Sequence, residues 1–286
     1  MSKIHSLKLN VDLHEQPFVC EEVSEKEIDG FWCLKIETMQ HLEFLIDLLS
    51  DCMQGVGENF AMFRGQRDAS WDLSTSLEVE LKKFGFSVNE SIIQKHLNNF
   101  KNHYFKLCGQ EFELPDHEIW ALGQHYGLKT PFLDWSKSID VALYFSMKDV
   151  IIKDVIGCKG YSAVYFVSGY LFNPVSGYHG YQVLSNNNLN SRMLAQDGLF
   201  AYYDFEKYIK CNRLRMIERF GDLFKFSADS LMCKFYINHQ LKSDIDGYLQ
   251  RKKIDKDYLF PKLDWCCNGL IEAIEKTNND LSSMVV

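Results

Sequence analysis

The sequence GQHYGLKTPFLDWSKSIDVALYFSM, residues Gly123–Met147, contains the change from helix to strand to helix that decides the fold. Pro131 disfavours a helical backbone at the residue before it, so we expect a helix to stop there and an extended segment to run to Ser136. From Ser138 onward, apolar residues recur at the spacing of a helix with one apolar face. Ser136 or Ser138 is the expected N-cap of that helix, because serine side chains accept hydrogen bonds from its first free N–H groups.

This strand-to-helix junction has two interpretations. The start of a helix offers free backbone N–H groups and about half a positive charge, so it can bind a phosphate or another anion. The other interpretation is an ordinary capped helix in which Trp135 anchors the core. The spacing alone leaves both open.

Composition narrows the class of protein. The chain has 286 residues, of which 46% are apolar and 14% aromatic, as in a globular protein of one large or two small domains. Its net charge of −8 argues against broad electrostatic binding to nucleic acid or to an anionic membrane. Nine cysteines without a C-x-x-C pair favour reduced thiols over a zinc site. With no signal-peptide pattern and no membrane-span pattern, we expect a cytoplasmic protein and no membrane partner.

A buried arginine is expected at position 64. Residues 60–65 read as an apolar strand, and a guanidinium there needs a carboxylate or a ligand phosphate as its partner. The structural alternative is an internal ion pair with Asp68, Asp72 or Asp134.

His125 is expected near the C-terminal end of a helix that begins after Pro115. The helix dipole favours a protonated imidazole at that end, so His125 is a candidate contact for a phosphate or a ribose. The alternative is a histidine with a purely structural role.

Hydrophobic periodicity and turn signals predict the other elements. The predicted helices follow Thr38 and span 77–84, 89–107 and 241–251, and a last helix opens at Phe260-Pro261. The predicted strands include one or two in residues 1–36 and the segments 162–167, 199–203 and 234–237. Residues 169–190 read as a long polar loop of the kind that often forms a functional lid.

Several separated motifs resemble the FRG domain, a bacterial family named after its Phe-Arg-Gly sequence, and the similarity runs from about Leu42 to about Leu270. The motifs stand in the order Phe63 to Gly65, Gln124 to Leu128, Leu133 to Ser136, Ala142 to Phe145, Asn190 to Arg192, Ala195 to Phe200 and Leu259 to Asp264. Their layout is similar to that of ADP-ribosyltransferases. The Ser-Thr-Ser at residues 74–76 is not the hydroxyl motif of those enzymes, because the Ala-x-x-Phe helix follows Ser138 instead.

The resemblance implies an α+β fold with an ADP-ribosyltransferase-like split mixed and antiparallel sheet and flanking helices. We expect a single domain over residues 1–286. Its core would span about 42–205, preceded by N-terminal strands and an acidic turn in 1–41 and followed by a strand-helix extension in 206–286.

The resemblance also implies NAD as substrate. The implied catalytic residues are Arg64, Ser136, Gln196 and Asp134. The implied NAD-binding residues are Arg64, Gly65, His125, Trp135, Ser138, Tyr144 and Phe145, and no metal is expected.

One position departs from the transferase pattern. Such enzymes carry a glutamate in the third motif where this chain has Gln196, which cannot act as a general base. Asp134, Asp197 and Glu206 are the alternative carboxylates.

Three functions follow as hypotheses. The first is a toxin-like ADP-ribosyltransferase or NAD glycohydrolase in bacterial defence or a toxin–antitoxin pair, with a protein or nucleic-acid acceptor and an antitoxin or immunity protein as partners. The second is a non-catalytic nucleotide sensor, which Gln196 favours. The third is a metal-dependent hydrolase or nuclease that uses Asp134 and His125.

Overall fold

A mixed six-stranded sheet forms the centre of the computed structural model, which describes residues 32–54, 61–151, 160–168, 194–202, 232–261 and 268–283. The strand order is β1-β6-β4-β2-β3-β5, and β1 and β6 are parallel while the other neighbours are antiparallel. The expected α+β class, a mixed sheet with flanking helices, is confirmed. The strands are β1 (Trp32–Ile36), β2 (Ala61–Gln66), β3 (Phe132–Ser136), β4 (Tyr161–Ser168), β5 (Gly198–Tyr202) and β6 (Met232–Asn238).

Helices cover the sheet in two groups, each with its own hydrophobic cluster. One cluster joins β2, β4 and β6 to α1, α5 and α6, and the other joins β3 to α2, α3, α4 and α8. The helices are α1 (Met39–Gln54), α2 (Ser76–Lys83), α3 (Glu90–Cys108), α4 (Asp116–His125), α5 (Ile139–Met147), α6 (Lys242–Arg251), α7 (Lys256–Leu259) and α8 (Asn268–Asp280).

Polar side chains set the starts of several helices. Ser138 caps α5 by accepting a hydrogen bond from the N–H of Val141, which decides between the two serines considered as the cap. Asn89 caps α3 in the same way. For α2 the cap is Thr75, which forms a reciprocal capping box with Glu78.

Two sequence expectations need correction or extension. The last helix was expected to open at Phe260-Pro261, but α8 begins at Asn268. Strand β6, assigned from sequence to a C-terminal extension, lies inside the sheet between β1 and β4. The N-terminal acidic turn and the predicted lid at 169–190 lie outside the described residues.

Strands β2 and β3 are neighbours that separate almost at once. They pair only at Phe63 and Ser136, whereas β2 pairs with β4 along its whole length from Ala61 to Gln66. A gap therefore opens in the sheet between the part of β2 that follows Phe63 and the part of β3 that precedes Ser136, where Arg64 and Asp134 lie.

Helix α5 packs on β2 through Gly65. A Cβ atom at this glycine would lie 1.9 Å from the backbone oxygen of Ala142 and 2.7 Å from the backbone nitrogen of Ser146. Only a residue without a side chain allows this close approach of helix and strand.

We expect Gly65→Ala to lower the free energy of unfolding by about 1–3 kcal/mol, because the methyl group forces α5 away from β2. Urea denaturation measures the change. Gly247→Ala is the matched control, since the nearest atom to its added Cβ is Arg251 Nη1 at 3.8 Å and alanine favours the helix interior. A Gly65→Ala protein as stable as this control would show that the contact does not constrain the packing.

Acid should destabilise the protein through His96. This side chain is 0% exposed, its Nε2 lies 2.8 Å from the carbonyl oxygen of Lys129, and burial lowers its pKa from 6.5 to about 4. A lowered folded-state pKa stabilises the protein above the unfolded value, and this stability is lost as pH falls from 6.5 towards 4. The loss is about 3 kcal/mol.

We expect His96→Gln to show a weaker loss of stability across this pH window than the wild type, because glutamine keeps an N–H donor but does not titrate. Urea denaturation at several pH values measures the difference. His117→Gln, at a side chain that is 51% exposed, is the control. Parallel pH profiles for wild type and His96→Gln would remove His96 as the cause.

Candidate active site

The gap between β2 and β3 opens into a cavity of about 400 Å³, within the usual range for small-molecule sites. Its wall combines β2, β3 and β5 with the C-terminal end of α4, one face of α5 and the segment after α7. The lining residues are Phe63, Arg64, Gly65, Ala121, Gln124, His125, Asp134, Trp135, Ser136, Val141, Ala142, Phe145, Gln196, Gly198, Leu199, Phe200 and Phe260.

Arg64 reaches across the gap. Its Nη1 donates a hydrogen bond of 2.6 Å to the backbone oxygen of Asp134, while its buried Nε has no hydrogen-bond partner among the described residues. Burial lowers the pKa of Arg64, and the charge of the nearby Asp134 carboxylate opposes that shift. Arg64 thus gives the cavity wall a positive charge that could pair with an anionic ligand.

Asp134 occupies the middle of β3 and faces the cavity. Its Oδ1 accepts a hydrogen bond of 2.5 Å from Nε2 of Gln124. Burial by the surrounding walls raises the pKa of Asp134, and the positive charge of Arg64 and the bond from Gln124 partly oppose the rise. Water that enters the cavity can still solvate the exposed carboxylate, so the rise is smaller than full burial would give.

A buried polar chain supports Asp134 from behind. The hydroxyl of Thr130, whose side chain is fully buried, donates to Oε1 of Gln124, and the other end of that amide donates to Asp134. Thr130 itself is held by α2, because its backbone N–H donates to Ser76 Oγ and its carbonyl oxygen accepts from the N–H of Leu77.

The serines of the junction bind the protein's own backbone. Ser136 Oγ donates to the carbonyl oxygen of Gln196 at 2.6 Å and accepts from the N–H of Ser138 at 3.0 Å. The N–H groups of Ser138 and Val141 are thus already paired, which weakens the expectation of an anion site at the start of α5. Ser138 and Tyr144, which were expected in the site, are not among the described residues that line this cavity. Ser138 caps α5. Tyr144 packs against the hydrophobic cluster that contains α1 and α6.

Gln196 lines the cavity, but its amide Nε2 donates to the carbonyl oxygen of Leu259 at 3.0 Å. This bond ties the turn before β5 to the end of α7. Asp197 is exposed in that turn with φ of 46°, outside the strand, and Glu206 lies outside the described residues. Of the three alternative carboxylates, the cavity lining includes Asp134.

Aromatic side chains form the apolar walls of the cavity. Phe145 of α5 meets Phe260 edge to face, with ring centroids 6.0 Å apart. Trp135 and Phe200 belong to the same lining, as does His125 at the end of α4. A planar aromatic ring could stack against these walls while a negatively charged group lies near Arg64.

Sequence reasoning missed Gln124, Phe200 and Phe260 as cavity residues. The positions Ala121, Gln124 and His125 follow i, i+3, i+4, so the spacing around His125 could have shown that one face of α4 lines the site. Phe200 and Phe260 are brought in by strand pairing and by a contact between distant segments, which local patterns do not reveal.

The part of the chain that the structure describes contains neither a metal-binding cluster nor a membrane-spanning helix. No group of three or more His, Cys, Asp and Glu side chains in these ranges could hold a metal ion. Within the same ranges, no helix has the length and apolar content needed to cross a bilayer.

The charge of Asp134 should reduce stability at neutral pH. A raised folded-state pKa stabilises the protein below the unfolded value, and this contribution is lost as pH rises through the folded value. We therefore expect Asp134→Asn, which mimics the protonated form, to raise the Tm at pH 7.5. The gain should shrink as pH is lowered towards 3.8, the ordinary value for the group. A lower Tm at pH 7.5 would instead indicate that the charge stabilises the fold through Arg64.

No curated protein and no solved structure shows detectable similarity to this chain. The model of the FRG domain family matches residues 59–154, about a third of the sequence. This segment includes Arg64, Gln124, Asp134 and Ser136, whereas Gln196 and Phe260 lie beyond it. The match supports the FRG domain family for the part of the chain that runs from β2 through α5 and supplies most of the cavity wall.

Proposed function

We propose that the protein cleaves the glycosidic bond between nicotinamide and ribose in NAD and transfers the ADP-ribose group to water or to a macromolecular acceptor. The observation that carries this proposal is the placement of Arg64 and Asp134 side by side in one aromatic-walled cavity. A cation, a carboxylate and apolar walls are the three features that a phosphate-linked, positively charged aromatic substrate requires.

In this proposal, Arg64 binds the pyrophosphate or the nicotinamide ribose. Its buried Nε has no partner among the described residues, and its Nη1 is oriented by the backbone oxygen of Asp134. Phe145 and Trp135 pack against the nicotinamide ring. The cavity of about 400 Å³ takes the nicotinamide end of the dinucleotide, and the adenosine extends towards the open side.

Asp134 stabilises the reacting carbon. As the bond between ribose C1′ and the nicotinamide nitrogen breaks, neutral nicotinamide leaves with the electron pair and the ribose becomes an oxocarbenium-like cation. The carboxylate of Asp134 offsets that positive charge. The acceptor oxygen or nitrogen then bonds to C1′ and gives its proton to Asp134, whose raised pKa makes it a better base than an ordinary aspartate.

This assignment addresses the missing glutamate at position 196. The amide of Gln196 holds the carbonyl oxygen of Leu259, so it maintains the cavity wall and has no acid-base part in the reaction. A toxin-like activity in bacterial defence, with an antitoxin or immunity partner, is the biological setting that the family resemblance suggests.

A nucleotide sensor without chemistry is the second candidate. It is favoured by the bonds of Ser136 and Gln196, whose side chains both hold the protein's own carbonyl groups. In that case Arg64 and the aromatic walls bind NAD without breaking its glycosidic bond.

Purified protein incubated with NAD and cell extract should release nicotinamide. We expect Asp134→Asn and Arg64→Lys to reduce the rate at least about a hundredfold, because each removes a charge or a donor geometry aimed at the reacting group. Chromatographic measurement of nicotinamide gives the rate. Asp72→Asn is the matched control for the aspartate, since its side chain is 64% exposed in a surface ion pair with Lys82.

Calorimetry separates the two candidates. NAD binding that Arg64→Lys weakens, with no nicotinamide release in any extract, would support the sensor and contradict the enzyme. Absence of NAD binding to the folded wild type would contradict both.

A further inference from the structure

Gln124 links three elements at the back of the cavity. It lies in the last turn of α4, accepts a hydrogen bond from Thr130 in the segment before β3, and donates to Asp134 within β3. The amide of Gln124 thus accepts from a buried hydroxyl through its oxygen and donates to a carboxylate in the cavity through its nitrogen.

The direction of these bonds determines which way the amide points. A carboxylate accepts hydrogen bonds, so the amide must present Nε2 to Asp134. Thr130 Oγ1 lies 3.4 Å from the backbone N–H of Phe132, a donor, so its own proton is free to go to Oε1 of Gln124. The reverse orientation would set Oε1 against the carboxylate and leave two acceptors facing each other.

The hydrogen bond from Gln124 makes the two carboxylate oxygens of Asp134 different from each other. Oδ1 accepts from the side chain of Gln124, and the backbone N–H of Asp134 itself is the other hydrogen-bond donor to this carboxylate. No other side chain among the described residues donates to it. Because Oδ1 already accepts from the amide of Gln124, Oδ2 is the oxygen on which a proton meets no side-chain donor.

We propose that Gln124 is a positioning residue that holds Oδ1 of Asp134 and leaves Oδ2 as the oxygen that accepts and returns a proton, with Thr130 fixing the orientation of the amide. The catalytic meaning of this arrangement rests on the proposed NAD cleavage, but the arrangement itself does not. Gln124 acts through Asp134 and is not a catalytic residue.

The anchor of this chain is rigid. Thr130 is fully buried, and both its backbone groups bond to the first turn of α2, through Ser76 Oγ at 3.0 Å and the N–H of Leu77 at 3.1 Å. The backbone of Thr130 is therefore fixed on both sides, which limits how far its hydroxyl can move when the amide is disturbed. The orientation of Gln124 therefore depends on Thr130 more than on the solvent in the cavity.

Other groups also act on Asp134 and must stay constant in a test. Arg64 of β2 opposes the rise in the pKa of Asp134, and His125 of α4 lines the same cavity. Variants of Gln124 and Thr130 leave both of these residues in place.

The test is a carbon-13 NMR titration of the Asp134 carboxyl in protein labelled at aspartate, with Asp134→Asn to assign the signal. We expect Gln124→Met to move the midpoint upward by roughly one pH unit, because the ionised carboxylate loses a charge-assisted hydrogen bond. Thr130→Val should move it in the same direction, and Thr130→Ser, which restores the hydroxyl, should return it to the wild-type value. Gln94→Met, the same change at an exposed position of α3, should leave it unchanged.

Activity gives an independent readout. The acidic limb of the pH profile for nicotinamide release should move with the NMR midpoint, which a merely structural change would not produce. An unchanged midpoint in a folded Gln124→Met protein overturns the positioning proposal even if the enzyme turns over NAD. A shifted midpoint in a protein that never releases nicotinamide supports the positioning arrangement and overturns the proposed function.

Discussion

The hydrogen bond from the Arg64 guanidinium to the backbone oxygen of Asp134 spans the place where the sheet comes apart. Strands β2 and β3 share one paired position, at Phe63 and Ser136, and a side chain then takes over the connection that the backbone ladder no longer makes. An ordinary ladder at this point would close the gap and remove the cavity. The arginine thus joins the two strands while it keeps space and positive charge between them.

The packing around this gap explains why the strands can separate without loss of order. On one side, α5 lies against β2 so closely that Gly65 has no room for a Cβ atom. On the other, β3 pairs with β5 at all five positions from Phe132 to Ser136. Each strand is held by a different partner, so the gap is a rigid feature. Rigid walls are what a site needs if it is to hold charged groups in fixed positions.

Local sequence patterns predicted much of this framework and failed where distant segments meet. The apolar spacing and cap of α5, the strand at 132–136 and the strand that carries Arg64 could be read from neighbouring residues, and the structure has all three. The central position of β6 could not, because it depends on pairing with β4 across a long stretch of chain.

In the candidate site, too, some residues could be predicted from local sequence and others could not. Arg64 was singled out because a guanidinium in an apolar strand needs a partner. Asp134 was named as one of its candidate partners and as a carboxylate that could replace the missing glutamate. Tyr144 was placed in the site from its motif alone, yet it lies about 100° around α5 from Phe145, which does line the cavity. The bond between Gln124 and Asp134 had no local signal, because a helix end and the middle of a strand meet only in the folded chain.

The energetics of the pair favour a ligand over a purely structural role. Burial shifts the pKa of Arg64 down and that of Asp134 up, so the fold disfavours the charged form of each residue, and the attraction between them only partly opposes this. In a structural ion pair, the guanidinium would be expected to hydrogen-bond directly to the carboxylate. Here Arg64 donates to a backbone oxygen and Asp134 accepts from Gln124, and both residues line the same cavity. A ligand with a negative group for Arg64 and a developing positive charge for Asp134 would satisfy both, which is the electrostatic pattern of a phosphate-bearing glycoside at the moment its glycosidic bond breaks.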